Sequence, residues 1–153
     1  MTKYLTIRPA VVGERAALEA LQWRASLVWE EYREALLAHP DAIELPDAHF
    51  GEGRAFVAVL AEKIAGFAVV LPRQDGDAEL DGLFVEPDLW RSGIGRHLVR
   101  EAERLAHRNG AEFLYVVGNP RAEKFYLACG FVQIGTHETR FGPGLVMRKA
   151  LEN

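Results

Sequence analysis

Three stretches of this sequence hold residues whose type and spacing could do chemistry. The first is Val85-Glu86-Pro87-Asp88-Leu89-Trp90-Arg91-Ser92-Gly93-Ile94-Gly95-Arg96, an apolar run that passes through two glycines into a helical pattern. A helix start offers backbone N–H groups with no helical partner at the positive end of the macrodipole, and together these bind anions. Glycine lets the backbone approach closely, and Arg91 and Arg96 could add charge-assisted contacts to phosphate oxygens. Two familiar phosphate motifs are excluded. A dinucleotide fingerprint needs a glycine where Leu98 stands, and a P-loop needs Gly-Lys-Ser/Thr, which the sequence lacks. A lone Gly-x-Gly is also what a plain strand-to-helix turn uses.

The second stretch holds Glu79 and Asp81, which share a face of the strand that precedes the glycines by two-residue alternation. Either carboxylate could take a proton from an amine; both could equally be solvated, or attract a cation. The third holds Asn119, Ala122, Phe125, Tyr126 and Cys129. Asn119-Pro120 reads as an N-cap with the first helical residue, and the three–four spacing makes Tyr126 and Cys129 part of a buried face. Tyr126 has a hydroxyl suited to protonate a leaving group. Cys129 would sit at a helix C-terminus, where the dipole opposes a thiolate, so packing is its expected role. His39, His49, His97, His107 and His137 show no metal-ligand spacing, and no metal is expected.

The elements that position these residues follow from periodicity and punctuation. Lys3 to Arg8 alternates as a strand. From Glu14 a helical stripe runs through Ala17, Leu18, Leu21, Ala25 and Val28, and a second piece carries Tyr32, Leu36 and Leu37 and stops before Pro40. Ala55 to Leu60 and Ile64 to Leu71 read as strands joined at Glu62-Lys63, a connection without the usual glycine or asparagine. A strand from Ala78 to Val85 ends at Pro87, and a helix follows from about Gly95, with Ile94, Leu98, Ala102, Leu105 and Ala106 on one side and a cap at Asn109-Gly110. Phe113 to Val117 reads as a buried strand, the Asn119 helix ends at Gly130, and strands from about Phe131 to Arg140 and Leu145 to Leu151 flank Gly142-Pro143-Gly144. The order βααβββαβαββ predicts an α/β fold with a mixed sheet and helices on its faces.

Composition bounds the partners. The chain has 153 residues, of which 49% are hydrophobic and 26% charged, so one globular domain over 1–153 is expected. The net charge of −4 argues against a nucleic-acid coat and is compatible with a cationic substrate. One cysteine excludes an internal disulfide and multi-cysteine metal sites. The longest apolar run, Ile64 to Leu71, is far short of the roughly 20 residues that span a bilayer, so no membrane is expected. Met1 to Ile7 runs into Arg8-Pro9 with no secretory h-region, so the expected setting is the cytoplasm.

Glu79-Leu80 through Val85, Arg91-Ser92-Gly93-Ile94-Gly95, Asn119 through Tyr126, and Gly130-Phe131, in this order, resemble the GNAT superfamily of acyl-CoA-dependent N-acetyltransferases. Members carry Gln/Arg-x-x-Gly-x-Gly/Ala at the loop and often Asn-x-x-Ala-x-x-Phe-Tyr on the later helix. The sequence departs from this at Trp90, which stands where the family has Gln or Arg. The resemblance covers essentially the whole chain. It implies a GNAT-type, mostly antiparallel seven-stranded sheet flanked by about four helices. It implies acetyl-CoA as co-substrate and a small-molecule or peptide amine as acceptor, and it allows a homodimer. The N–H groups of Arg91, Ser92, Gly93, Ile94, Gly95 and Arg96 would then wrap the coenzyme A pyrophosphate. The backbone of Leu83, Phe84 and Val85 would pair with the pantetheine arm, Asn119 would hydrogen-bond that arm, and Tyr126 would sit beside the thioester sulfur. Glu79 has the spacing from Gly93 of the strand glutamate that acts as base in the histone-acetylating branch. Asp81 or a water chain could serve instead. The acceptor side would draw on Trp23, Arg24, Trp29, Tyr32 and the nearby glutamates, and on His137, Glu138 and Arg140. A module on the same fold that only binds acyl-CoA is the alternative; it would have lost the acid and base, and both Tyr126 and Glu79 are present.

Overall fold

Seven strands and five helices make up the computed structural model, which describes residues 4–152. In chain order they are β1 (Leu5–Pro9), α1 (Arg15–Leu27), α2 (Glu30–Ala38), α3 (Ala48–Gly51), β2 (Ala55–Leu60), β3 (Lys63–Pro72), β4 (Ala78–Val85), α4 (Ile94–Arg108), β5 (Phe113–Gly118), α5 (Glu123–Ala128), β6 (Val132–Thr139) and β7 (Gly142–Ala150). The strands form one mixed sheet of order β1-β2-β3-β4-β5-β7-β6. The expected order of elements holds, with α3 added: a single turn that begins after Asp47 and that no sequence periodicity marks. Lys3, the first residue of the first expected strand, lies outside the described residues.

Two compact units divide the chain, Met1–Val69 with Gly82–Leu98 and Val70–Asp81 with Val99–Asn153. In the first, β1 and β3 pair antiparallel with β2. Leu18, Leu21, Val57, Phe67, Ile94 and Leu98 are almost completely buried there. Each such side chain contributes about 1.5–3 kcal/mol by leaving water. In the second, β4 pairs parallel with β5 over three positions only, Ala78–Leu80 with Leu114–Val116, although both strands run on. β7 lies antiparallel to both β5 and β6. Val99, Ala102, Ala106, Leu114, Val116, Phe131 and Met147 are buried in this unit. Asp77 fixes the start of β5, because its carboxylate accepts the backbone N–H of Glu112 and of Phe113.

Two turns differ from expectation for physical reasons. Gly142-Pro143-Gly144 does not separate the last strands but begins β7. Gly142, at φ +116°, takes the conformation that glycine tolerates, and Pro143 pairs only with Glu138 of β6. The pairing of β7 with β5 begins at Leu145, so the N–H that proline lacks is not needed on that side.

The β2–β3 hairpin turns on Ala61 and Glu62, between the paired Leu60 and Lys63. Both residues have positive φ, 50° and 70°, as a two-residue type I′ turn requires. The sequence spends no glycine or asparagine there, so the turn stores strain. The double change Ala61→Asn, Glu62→Gly is therefore expected to raise unfolding stability by about 1–2 kcal/mol. A denaturant midpoint that rises at constant m-value would show this; an unmoved midpoint would mean that the turn is not strained.

Candidate functional site

The loop from β4 to α4 is built from its own side chains. The indole N–H of Trp90 donates to the carbonyl oxygen of Val85 at 2.8 Å, folding the loop back onto the end of β4. The Trp90 ring stacks on Trp29 with centroids 5.2 Å apart. The Ser92 hydroxyl donates to the Leu89 carbonyl at 2.6 Å. Arg24 of α1 holds Glu86 through two bonds, Nε to Oε1 at 3.1 Å and Nη2 to Oε2 at 2.5 Å. The departure at Trp90 thus has a local explanation: its side chain closes the loop. Trp29 and Arg24, expected on the acceptor side, are engaged in holding that loop.

Arg91 (φ +68°) and Gly93 (φ +93°) both adopt the left-handed conformation and bend the chain into α4. The Gly93 carbonyl accepts the N–H of His97 at 3.1 Å, so Gly93 is where the α4 hydrogen-bond ladder begins. The N–H groups of Ile94, Gly95 and Arg96 belong to the first turn, where a helix supplies no carbonyl for them. A Cβ on Gly93 would meet nothing within 4 Å, so the bend opens onto free space. Arg91, Ser92, Gly93 and Arg96 are exposed, while Ile94 is buried and anchors the helix. The entry to α4 is thus the positive end of a helix dipole, in a stretch where Arg91 and Arg96 are both exposed.

Leu83, Phe84 and Val85 lie just upstream in the same unit, all half-buried. The Glu86 N–H donates to the Ala65 carbonyl of β3 at 2.8 Å. Successive residues of an extended strand turn their backbone groups to opposite sides, so the Val85 N–H faces away from β3. Phe84 packs on Phe67 with centroids 5.5 Å apart. Gly66 permits the close approach, since a Cβ there would fall 2.7 Å from the Phe84 carbonyl oxygen.

The other expected site residues belong to the second unit. Asn119 accepts the Arg121 N–H on Oδ1 at 2.8 Å, ahead of Pro120, as an N-cap should. Tyr126 is buried at 7% exposure, with edge-on contacts to Phe125 and Phe131 at 5.1 and 5.5 Å. A Cβ on Gly118 would touch its ring at 3.1 Å, so the small residue at the end of β5 makes room for it. Burial, with a smaller contribution from Cys129, pushes the Tyr126 phenol well above its ordinary range, and it stays protonated at neutral pH. Cys129 caps the C-terminal end of α5 and is buried, as its packing role requires.

Glu79 is half-buried on the opposite face of β5 from Tyr126. It pairs with Tyr115, whereas Gly118, an odd number of residues along, points at Tyr126. Desolvation, and then Asp81, raise the Glu79 carboxyl above the usual carboxylate range, against the opposing pull of Arg73 at 3.8 Å. That raises its affinity for a proton, as a base requires.

Sequence reasoning missed the residues around Glu79. The Arg73 guanidinium lies 3.8 Å over the Tyr115 ring and pairs with Asp75 at 3.1–3.3 Å. Arg148 of β7 lies 4.2 Å over the Phe113 ring and donates to the Tyr115 hydroxyl at 3.3 Å. The strand 113–118 is buried on one face only: Leu114 and Val116 are covered, Phe113 and Tyr115 half-exposed, and Val117 is 40% exposed. Period-two alternation of ring-bearing residues with aliphatic ones was the available signal. Among the described residues no cluster of His, Cys, Asp and Glu could hold a metal ion, and no helix is long and apolar enough to cross a membrane.

The same architecture occurs in solved acetyltransferases. A GCN5-related N-acetyltransferase from Rhodopseudomonas palustris superposes with a TM-score of 0.78 at 25% identity, covering 95% of each chain. The PaiA N-acetyltransferase of Thermoplasma acidophilum, solved with coenzyme A, superposes with a TM-score of 0.74 at 20% identity, over 95% of this chain and 98% of that one. In sequence, the uncharacterized N-acetyltransferase YvbK of Bacillus subtilis (strain 168) is 29% identical over 105 residues, 67% of each protein. The profile of the acetyltransferase (GNAT) family matches residues 18–131, and the chain belongs to that family.

Proposed function

We propose that this acetyltransferase moves the acetyl group of acetyl-CoA to a primary amine of a small molecule or peptide by direct attack in a ternary complex. The observation that carries the reading is the glycine-bent entry to α4. There Gly93 opens onto free space at the start of the helix, and the first-turn amides of Ile94, Gly95 and Arg96 that follow it, with the exposed Arg91 before it, suit a diphosphate. The family match runs through both units, which supports one acetyltransferase domain over 1–153. In this reading Arg91, Ser92, Gly93, Ile94, Gly95 and Arg96 hold the pyrophosphate. Leu83, Phe84 and Val85 pair with the pantetheine arm. The Val85 carbonyl is taken by Trp90, so the Val85 N–H is the group left to meet the arm or the thioester oxygen. The Asn119 Oδ1 is taken by its cap, so Asn119 would reach the arm with its amide N–H.

The chemistry sets the remaining roles. An alkyl ammonium of pKa about 10.4 is only about one part in 10³ neutral at pH 7. Glu79 takes its first proton, directly or through water, and burial, with Asp81 second, keeps the Glu79 carboxyl basic. The amine nitrogen then bonds to the thioester carbon, the C–S bond breaks, and the Val85 N–H stabilises the oxyanion. Of the three ammonium protons, one remains on the amide, one ends on the thiol and one leaves through the base. The elevated pKa of Tyr126 makes it a hydrogen-bond donor that steadies the departing sulfur, rather than a strong acid.

Release of free thiol from acetyl-CoA against a panel of primary amines tests the reading. No release, with no heat of coenzyme A binding, would refute it. Glu79→Gln is expected to remove the acid limb of the kcat/KM–pH profile, which in the native enzyme should lie above pH 4.5 because the carboxyl is held above that value. Activity rises through this limb as Glu79 loses its proton. A limb that stays in place in the variant would free Glu79 from the role.

A further inference from the structure

Across the exposed face of the second unit the sheet presents a graded row of charge. Glu79 of β4, Tyr115 of β5 and Arg148 of β7 are direct partners in successive strands and so share a face. With strands about 4.8 Å apart, the Glu79 and Arg148 backbones lie roughly 10 Å from each other. The acidic end is doubled by Asp81, exposed on the same side of β4. The two arginines near the row differ. Arg73 lies 3.8 Å from Glu79 at the acidic end and already has a carboxylate, Asp75, gripped by two of its nitrogens. Among the described residues no carboxylate lies within ion-pair distance of Arg148, whose neighbours are the Phe113 ring and the Tyr115 hydroxyl. Those two hold the guanidinium in place with most of its donors unspent. The Tyr115 oxygen accepts from Arg148, so its own hydrogen points elsewhere. Two donors, a planar cation and a phenol, therefore meet on the sheet face that also carries Glu79 and Asp81.

We infer that this row selects the acceptor, and that the acceptor is a zwitterion: a primary amine that also bears a carboxylate, as free α-amino acids do. The ammonium meets Glu79 and Asp81; the carboxylate takes the fork of Arg148 and the Tyr115 hydroxyl. Arginine matches a carboxylate with two parallel bonds, and a half-buried, immobilised fork gives up little side-chain freedom on binding. The inference rests on the acetyl-transfer reading above, since it names the substrate of that same chemistry.

The test measures thiol release from acetyl-CoA with α-amino acids and with their carboxamides, which keep the amine and lose the anion. Amidation should lower kcat/KM about 10- to 100-fold, the range for a hydrogen bond to a charged group. In Arg148→Gln the free-to-amidated ratio should fall to within about threefold of unity, with the KM for acetyl-CoA unchanged. Tyr115→Phe, which removes only an oxygen, should lower the ratio part of the way and guards against a misfolded glutamine variant. Equal turnover of the two series, or a ratio that survives both substitutions, overturns the inference. So does silence toward every amino acid while coenzyme A still binds, an outcome that leaves the cofactor site standing. Loss of coenzyme A binding by the native chain would instead strike at the transfer reading itself.

Discussion

Replacing Tyr126 by phenylalanine is expected to lower kcat about 10- to 1000-fold with coenzyme A affinity kept within about twofold, because it removes the hydroxyl that, in the proposed reaction, donates to the leaving sulfur. The substitution is clean on structural grounds. The ring is fixed by edge-on contacts to Phe125 and Phe131 and by the space Gly118 leaves, and phenylalanine keeps all of that apolar packing. Burial holds the phenol neutral across the working pH range, so its loss should depress the plateau of the rate–pH profile without moving either limb. A hydroxyl that merely packed would leave kcat where it was. Single-turnover and steady-state rates, taken beside a melting curve, separate the two cases. An unchanged kcat would reduce Tyr126 to a core aromatic.

Gly93→Val should weaken coenzyme A binding about 100-fold or more, the equivalent of about 2.8 kcal/mol. Two effects combine. A β-branched residue at φ +93° is strained by roughly 1–2 kcal/mol, and its methyl groups project into the open space at the entry to α4, where the proposed diphosphate would lie. The protein itself offers no atom within 4 Å to clash with, so the bulk falls on the ligand and not on the core. Gly93→Ala divides the contributions, since it carries the backbone strain with a single methyl. Both variants should melt a few degrees lower, and only valine should show the large loss in calorimetry. Native affinity in Gly93→Val would mean that the diphosphate does not lie at this bend.

The sequence made most of this architecture legible, because its punctuation is local chemistry. Pro87, the glycines at 93 and 95, Asn109-Gly110 and Asn119-Pro120 each mark a boundary that the structure keeps to within a residue or two. What stayed hidden depends on pairing across the chain. Ala61-Glu62 bears no turn signature, because the strands on either side impose the turn. Trp90 could be recognised as a departure from the family pattern, but its bond to Val85 and its stack on Trp29 need the fold before they can be seen. Arg73, Tyr115 and Arg148 are far apart in sequence and meet only through strand register and the reach of one guanidinium. Glu79 was visible as a carboxylate at a suggestive spacing, but its altered affinity for a proton comes from burial and neighbours, which no spacing reveals.

The stacked indoles beside the entry to α4 have a practical consequence. The chain has three tryptophans, at positions 23, 29 and 90, and two of them lie face to face, one immediately ahead of the bend. Their fluorescence is therefore an intrinsic reporter of that bend. Any occupant that tightens or tilts the loop changes the overlap of the rings, so the wavelength or intensity of emission can follow it in real time without a dye or a tag.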